Sequence, residues 1–193
     1  MRILLALLAV AALSTGAYVL VSRDTAPAGQ VGSLTLVGDS LNVGTDPYLR
    51  DELEGWSIDA HDQVGRQTGE GVEELRGLGA SLAPIVVVSL GTNDGEGTEE
   101  AFRDYVAEAI GIVGPRRCLL WATVVRAGAP REEFNAVLED ASAEHSNVRL
   151  VDWASLVDRE PETLAFDTVH GTPQGYARRA EETAAAVRRC PAG

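Results

Sequence analysis

Four short blocks of this sequence carry residues that together could catalyse acyl transfer. Ser40 stands in "GDSL", Gly65 in "DQVGRQTGEG" and Asn93 in "GTND", and Asp167 and His170 stand three residues apart in "DTVH". Acyl transfer needs a nucleophile, a base that takes its proton, a group that orients the base, and donors aimed at the oxyanion. All of these parts occur in the four blocks.

The side-chain types suggest one role for each residue. We expect Ser40 to be the nucleophile, His170 its base and Asp167 the carboxylate that orients the imidazole. The oxyanion donors would be the backbone N–H groups of Ser40 and Gly65 and the side-chain amide of Asn93. The alternatives are structural, since a serine also caps helices and an asparagine also forms turns.

These blocks follow short apolar runs that alternate with segments of helical periodicity. The runs predict strands at residues 33–37, 56–60, 84–90, 118–125 and 148–151, and the periodicity predicts helices at 43–53, 69–78, 99–113, 131–144 and 173–189. Continuous apolar runs are typical of parallel strands covered on both faces, and strand–helix alternation indicates a three-layer α/β/α sandwich. Ligands in such folds bind at the carboxyl ends of strands, where three of the blocks stand.

In their order, the four blocks resemble those of the SGNH hydrolases, also called GDSL esterases, over residues 33–189. The resemblance implies a flavodoxin-like sandwich with a five-stranded parallel sheet. It also implies the same roles for Ser40, Gly65, Asn93 and His170, with Asp167 completing the triad. The serine does not stand in G-x-S-x-G, which argues against an ordinary α/β-hydrolase elbow.

A second resemblance lies between the blocks, in "ATVVRAGAP" and "EFNAVLEDASAEHSNVRLVDW". These stretches look like the extracellular SGNH domains of membrane acyltransferases that O-acetylate cell-wall glycans. The long multi-helix membrane part of those proteins is not in this sequence, so transferase activity would need a separate partner.

The composition of the chain limits the classes of ligand that it is expected to bind. A formal net charge of −13 opposes binding to nucleic acid, because that binding depends on Lys and Arg neutralising phosphates. A neutral or weakly charged substrate suits the acidic surface better. His61 stands among carboxylates in "IDAHD", but no second histidine lies at ligand spacing, so no metal site is expected. The stretch "GEGVEELRG" does not match the dinucleotide-binding fingerprint, so no cofactor is expected either.

The N-terminal segment predicts export. Residues 3–21 are uncharged and mostly apolar, and nineteen helical residues would rise about 28 Å, close to the thickness of a bilayer core. We expect residues 1–23 to be a membrane anchor or a cleaved signal peptide, residues 24–32 a linker and residues 33–193 the domain. In an oxidising compartment Cys118 and Cys190 could form a disulfide; otherwise they are buried thiols.

Together these features predict an exported serine esterase, anchored in the cell envelope or secreted. The connections between the blocks are short and contain no long apolar insertion that could cover the site. This favours small acyl groups such as acetyl, and with export it suggests an envelope or extracellular glycan as their carrier. One alternative is an O-acyltransferase that passes an acetyl group to an envelope glycan. The other is a binding module without catalysis.

Overall fold

The computed structural model describes residues 31–126 and 130–190. Five parallel strands form one sheet in the order β2-β1-β3-β4-β5, with β1 (Ser33–Gly38), β2 (Ser57–Asp62), β3 (Ile85–Ser89), β4 (Cys118–Ala122) and β5 (Val148–Val151). The helices between and after them are α1 (Ser40–Glu52), α2 (Thr68–Leu78), α3 (Glu99–Val113), α4 (Arg131–Glu144), α5 (Trp153–Arg159) and α6 (Pro173–Arg188). This strand order is flavodoxin-like, as expected.

Alternate side chains of the central strands enter two separate apolar layers. Leu34 and Leu36 of β1 face a layer completed by α1 and α6, whereas Val86 and Val88 of β3 face a layer completed by α2, α3 and α4. Because both faces of the sheet are covered, polar groups can gather only at the strand ends. The predicted three-layer α/β/α sandwich is therefore confirmed.

Most predicted strands and helices differ from the observed ones by a few residues at their ends, and two differences concern whole turns of helix. Helix α1 begins at Ser40 rather than near residue 43, because Asp39 caps it one residue after β1 ends. Helix α5 (Trp153–Arg159) was not predicted; it has only seven residues, too few for a clear helical period. It begins after Asp152, whose side chain accepts the Ser155 N–H at 3.2 Å.

The disulfide between Cys118 and Cys190 is present, with the two Cα atoms 6.0 Å apart. It joins the amino end of β4 to the residues that follow α6, across 72 residues of sequence. The bond therefore fixes the end of the sheet opposite the four sequence blocks.

The predicted anchor or signal segment, residues 1–23, lies outside the described residues, as does all but the end of the predicted linker. Within residues 31–126 and 130–190, every helix is too short or too polar to cross a bilayer.

Candidate active site

Ser40 lies where β1 ends and α1 begins. The N–H of Asp39 donates to the Ser89 carbonyl at 3.1 Å, and the Asp39 carboxylate accepts the Leu41 N–H at 2.9 Å. Asp39, and not Ser40, therefore caps the helix. This leaves the Ser40 hydroxyl available for another partner.

The turn before Ser40 is closely packed. A Cβ on Gly38 would lie 2.6 Å from the Asn42 side chain, so a larger residue would push Asn42 out of the first turn of α1. Helix N-termini have unpaired N–H groups and a positive dipole end, which favours negative charge developing beside Ser40.

The loop before α6 brings His170 to Ser40. The His170 Nε2 atom lies 3.0 Å from Ser40 Oγ, and His170 Nδ1 lies 2.8 Å from Asp167 Oδ2. The other oxygen of Asp167 accepts the N–H groups of Val169 and His170, each at 3.0 Å. Thr168 has a φ of +60°, which bends the backbone so that both N–H groups reach the carboxylate.

Hydrogen bonding, and not burial, sets the charge of Asp167. The imidazole of His170 and the two backbone N–H groups lower the pKa of Asp167 to about 2. The carboxylate is therefore ionised over the working pH range, and it favours the tautomer in which Nδ1–H donates to Asp167 and Nε2 accepts from Ser40. The side chains of His170 and Asp167 are 42% and 52% exposed, so this part of the site is open to solvent.

Gly65 lies in a tight turn beside the end of β1. The Gln63 N–H donates to the Gly38 carbonyl at 3.0 Å, and the Arg66 N–H closes the turn on the Gln63 carbonyl at 3.2 Å. Gly65 occupies the third position of this turn with a φ of +80°, which glycine adopts without strain.

Asn93 joins this turn to the turn that carries Ser40. Its amide nitrogen donates to the Arg66 carbonyl at 3.1 Å and to the Asp39 carboxylate at 3.3 Å. The next residue, Asp94, accepts the N–H and hydroxyl of Thr68 at the start of α2, the latter at 2.6 Å. Asp94 thus braces the loop that follows β3 against the start of α2.

A polar cluster below Ser40 was not anticipated from the sequence. The guanidinium of Arg179 on α6 donates to Asn42 Oδ1 at 3.2 Å, Thr45 Oγ1 at 3.0 Å and Ser89 Oγ at 2.8 Å. Asn42 in turn donates to Asp62 Oδ1 at 3.1 Å. The sequence did contain a signal for the burial of Arg179. This residue stands four positions before the buried Thr183, on the face of α6 that packs inward.

Burial controls the charges in this cluster. It raises the pKa of Asp39 and raises that of Asp62 to about 6, while hydrogen bonds and the nearby Arg179 charge oppose both shifts. It also lowers the pKa of Arg179, which the charges of the two carboxylates counteract. The pKa of each charged group in this cluster therefore depends on the charges of the others.

The assembled site lies where the order of strands reverses, between β1 and β3, which is where sheets of this type bind ligands. It contains Ser40, Asp167 and His170 in one hydrogen-bonded chain, with the Gly65 turn and Asn93 beside the Ser40 turn. The residues proposed from the four sequence blocks are thus brought together.

Solved structures confirm that this is the SGNH hydrolase fold. The C-terminal catalytic domain of Streptococcus pneumoniae peptidoglycan O-acetyltransferase A, with a methylsulfonyl adduct, aligns with a TM-score of 0.69 at 19% identity, covering 82% of this chain and 93% of that domain. A lipase/acylhydrolase from Enterococcus faecalis aligns with a TM-score of 0.69 at 21% identity, covering 81% and 95%. A lipolytic protein of the G-D-S-L family from Veillonella parvula gives 0.68 at 14% identity, covering 81% and 98%.

Curated proteins with similar sequences include O-acetyltransferases. YrhL of Bacillus subtilis is 28% identical over 154 residues, covering 77% of this chain and 23% of the relative. The peptidoglycan O-acetyltransferase OatA of Listeria monocytogenes is 29% identical over 145 residues (72% and 21%), and the O-acetyltransferase OatA of Staphylococcus aureus is 30% identical over 142 residues (70% and 22%). The chain thus spans less than a quarter of the length of these relatives. No protein-family model matches it.

Proposed function

We propose that this protein is a serine acyl-transfer enzyme that works through an acyl-enzyme on Ser40. The observation that carries the proposal is the hydrogen-bonded chain from Ser40 Oγ to His170 Nε2 at 3.0 Å and from His170 Nδ1 to Asp167 Oδ2 at 2.8 Å. These contacts fit a nucleophile, a base and the group that orients the base.

In the first half-reaction, Ser40 Oγ attacks the ester carbonyl while His170 Nε2 takes its proton. The bond to the leaving alcohol then breaks as the imidazolium returns that proton to the alcohol oxygen. Asp167 stabilises the imidazolium, since its carboxylate is ionised and directly bonded to Nδ1.

The N–H groups of Ser40 and Gly65 and the amide of Asn93 are the donors we assign to the oxyanion. In this structure both hydrogens of the Asn93 amide have protein acceptors, Arg66 and Asp39. The bond to Asp39 is the longer, at 3.3 Å, so we expect the amide to exchange this bond for the oxyanion as negative charge develops there.

In the second half-reaction an acceptor hydroxyl loses its proton to His170 and attacks the acyl carbonyl. The C–O bond to Ser40 breaks, and the proton returns to the serine. We propose a hydroxyl of an envelope glycan as acceptor and acetyl as the group moved, because the named relatives from Listeria monocytogenes and Streptococcus pneumoniae are peptidoglycan O-acetyltransferases. Such an acceptor requires the domain to lie outside the cytoplasm, which agrees with the export predicted from the N-terminal segment.

Hydrolysis is the second candidate, and it is the reaction favoured by the sequence alone. The exposure of His170 and Asp167 supports it, because water reaches the base directly. Similarity of fold to a lipase/acylhydrolase is compatible with it.

One experiment separates these functions. The purified full chain is incubated with p-nitrophenyl acetate, with and without a chito-oligosaccharide acceptor, while p-nitrophenol release and the mass of the oligosaccharide are followed. We expect acetylated oligosaccharide that is absent with Ser40→Ala. Release of p-nitrophenol without acetylated product would favour the esterase, and a folded protein that does neither would favour the binding module.

A further inference from the structure

Arg179 is a buried cation without a direct carboxylate partner among the described residues. Its side chain is 1% exposed, and its three hydrogen bonds go to neutral oxygens of Asn42, Thr45 and Ser89. Its guanidinium carbon lies 5.7 Å from the centre of the Trp153 ring. Burying a guanidinium is costly unless charge and hydrogen bonds compensate, so stability alone favours an apolar residue here.

The hydrogen bonds of Arg179 join the elements that carry the reacting side chains. Asn42 and Thr45 belong to α1, the helix that begins at Ser40, and Ser89 ends β3 and accepts the Asp39 N–H through its carbonyl. Arg179 itself lies on α6, the helix that follows the His170 loop. The guanidinium of Arg179 therefore fixes the turn that carries Ser40 relative to the loop that carries His170.

Several charged groups face this cluster. Arg179 and His170 face Asp39, while Asp62 at the end of β2 and Tyr176 on α6 itself face Arg179. Asp39 is 0% exposed and lies beside the site where the oxyanion forms. An uncompensated carboxylate there would oppose the negative charge of the transition state.

We propose that Arg179 is a positioning residue of the active site, acting through the Asp39 carboxylate and the first turn of α1. The inference rests on the proposed function. The positive charge of the guanidinium opposes the rise that burial causes in the pKa of Asp39, and so favours the carboxylate as acceptor for the Leu41 N–H and the Asn93 amide. It also offsets the negative charge that Asp39 would otherwise present to the oxyanion. Without that cation, Asp39 would take up a proton at higher pH, and the Asn93 amide would lose its charged acceptor.

The test compares Arg179→Met, which removes the charge and keeps an unbranched stem, with Arg179→Lys, which keeps the charge and loses the fork. Arg178→Met is the matched control, because Arg178 is the neighbouring arginine and pairs with Glu160 at 3.0 Å instead. We measure kcat and KM for p-nitrophenyl acetate from pH 5 to 9, with the folded fraction checked by circular dichroism. The profiles are repeated with Asp62→Asn, which removes the other carboxyl facing Arg179.

We expect Arg179→Met to lower kcat at least about tenfold with little change in KM, and to move the acid limb of kcat to higher pH. Arg179→Lys should restore part of kcat and most of the acid limb. Arg178→Met should match the wild type.

A double-mutant cycle tests the route through Asp39. Asparagine caps helices as well as aspartate, so Asp39→Asn should fold. If Arg179 acts through the Asp39 charge, adding Arg179→Met to Asp39→Asn should cost little further in kcat. Where Arg179→Met does not fold, Arg179→Gln, which removes the charge and keeps hydrogen-bonding groups, closes the same cycle.

A folded Arg179→Met with wild-type kcat and an unchanged acid limb would overturn the inference, as would losses that multiply in the double variant. Both results leave the proposed function standing, because the wild type is active in them. A wild type without turnover would overturn the proposed function, and this inference with it.

Discussion

The serine side of the active site is buried, whereas its acid–base side is open to solvent. Asp39 and Arg179 lie below Ser40 with almost no exposed surface, but Asp167 and His170 are about half exposed. Charge on the buried side is maintained by other charges and by long-range hydrogen bonds. Charge on the exposed side is maintained within four consecutive residues of one loop.

This contrast suggests a division of tasks. Groups buried between α1, β3 and α6 fix the position of the nucleophile, and changing them should affect both folding and activity. The exposed loop carries the proton transfer, and changing it should affect activity with little effect on folding. The following predictions test that division, from the largest effect to the smallest.

Replacing His170 with alanine should separate activity from stability most clearly. We expect kcat to fall by about 10²- to 10⁴-fold, because the base that takes the Ser40 proton is lost. The melting temperature should change little, since the side chain is exposed. His145→Ala is the matched control, because His145 is exposed at the end of α4, and it should keep wild-type activity. Equal losses in both variants would contradict the account.

Asn93→Ala should lower both the activity and the stability of the protein. We expect kcat to fall by about 100- to 1000-fold through the loss of an oxyanion donor. We also expect a lower melting temperature, because Arg66 and Asp39 lose the amide that joins them. A variant with normal kcat would show that the amide serves only to join the two turns.

Asp167→Asn should cost less than the same change at a buried triad acid, about 10- to 100-fold in kcat, because water can solvate the exposed imidazolium. A histidine base works only while neutral, so wild-type activity should fall in acid. Without the carboxylate the imidazolium is less stable, so the acid limb should move to lower pH. Asp104→Asn, at an exposed position on α3, is the control.

The low pKa of Asp167 also predicts how the loop responds to acid. The pKa of Asp167 in the fold, about 2, lies below that of a free aspartate. Its contribution to stability is therefore complete above about pH 4 and is lost only as the pH falls through about 2. Loop order that persists from pH 8 to pH 5 would agree with this low pKa of Asp167. Disorder of the loop at pH 5, detected by NMR, would contradict it.

Asp62→Asn should stabilise the protein at pH 8. Burial raises the pKa of Asp62 to about 6, and the neighbouring Asp46 adds to the rise, so the ionised form is disfavoured in the fold. The pH dependence of stability is therefore opposite to that of Asp167. The contribution of Asp62 to the stability of the wild type is complete below about pH 4 and is lost as the pH rises through about 6. Denaturant titrations should show a gain of at most about 3 kcal/mol at pH 8, and about half of that at pH 5. A destabilised variant at pH 8 would mean that the charge of Asp62 is needed to balance Arg179.

The exposed side of the site was the more predictable from sequence. Asp167 and His170 lie within one block and their geometry is local, and Ser40, Gly65 and Asn93 each follow a strand whose end the apolar pattern predicts. The buried side was not found, because Arg179 meets Asn42 and Ser89 across 137 and 90 residues of sequence. Its neighbour Arg178 is equally polar, and only the helical register separates the buried arginine from the exposed one.

The fold, like the site, was predictable where it depends on local sequence patterns. Strands covered on both faces gave continuous apolar runs, and the Cys118–Cys190 disulfide was proposed as one of two alternatives. The capping of α1 by Asp39 moved a predicted boundary, because local hydrogen bonding at the turn extends the helix beyond its apolar period.

The most direct test of the account is whether Ser40 becomes covalently modified. The full chain is treated with a sulfonyl fluoride and its intact mass is measured beside Ser40→Ala and the surface control Ser146→Ala, with p-nitrophenyl acetate turnover recorded for each. The account predicts a single adduct on the wild type and on Ser146→Ala, with matching loss of turnover, and no adduct on Ser40→Ala. A folded wild type that forms no adduct, or an adduct that persists in Ser40→Ala, would contradict it.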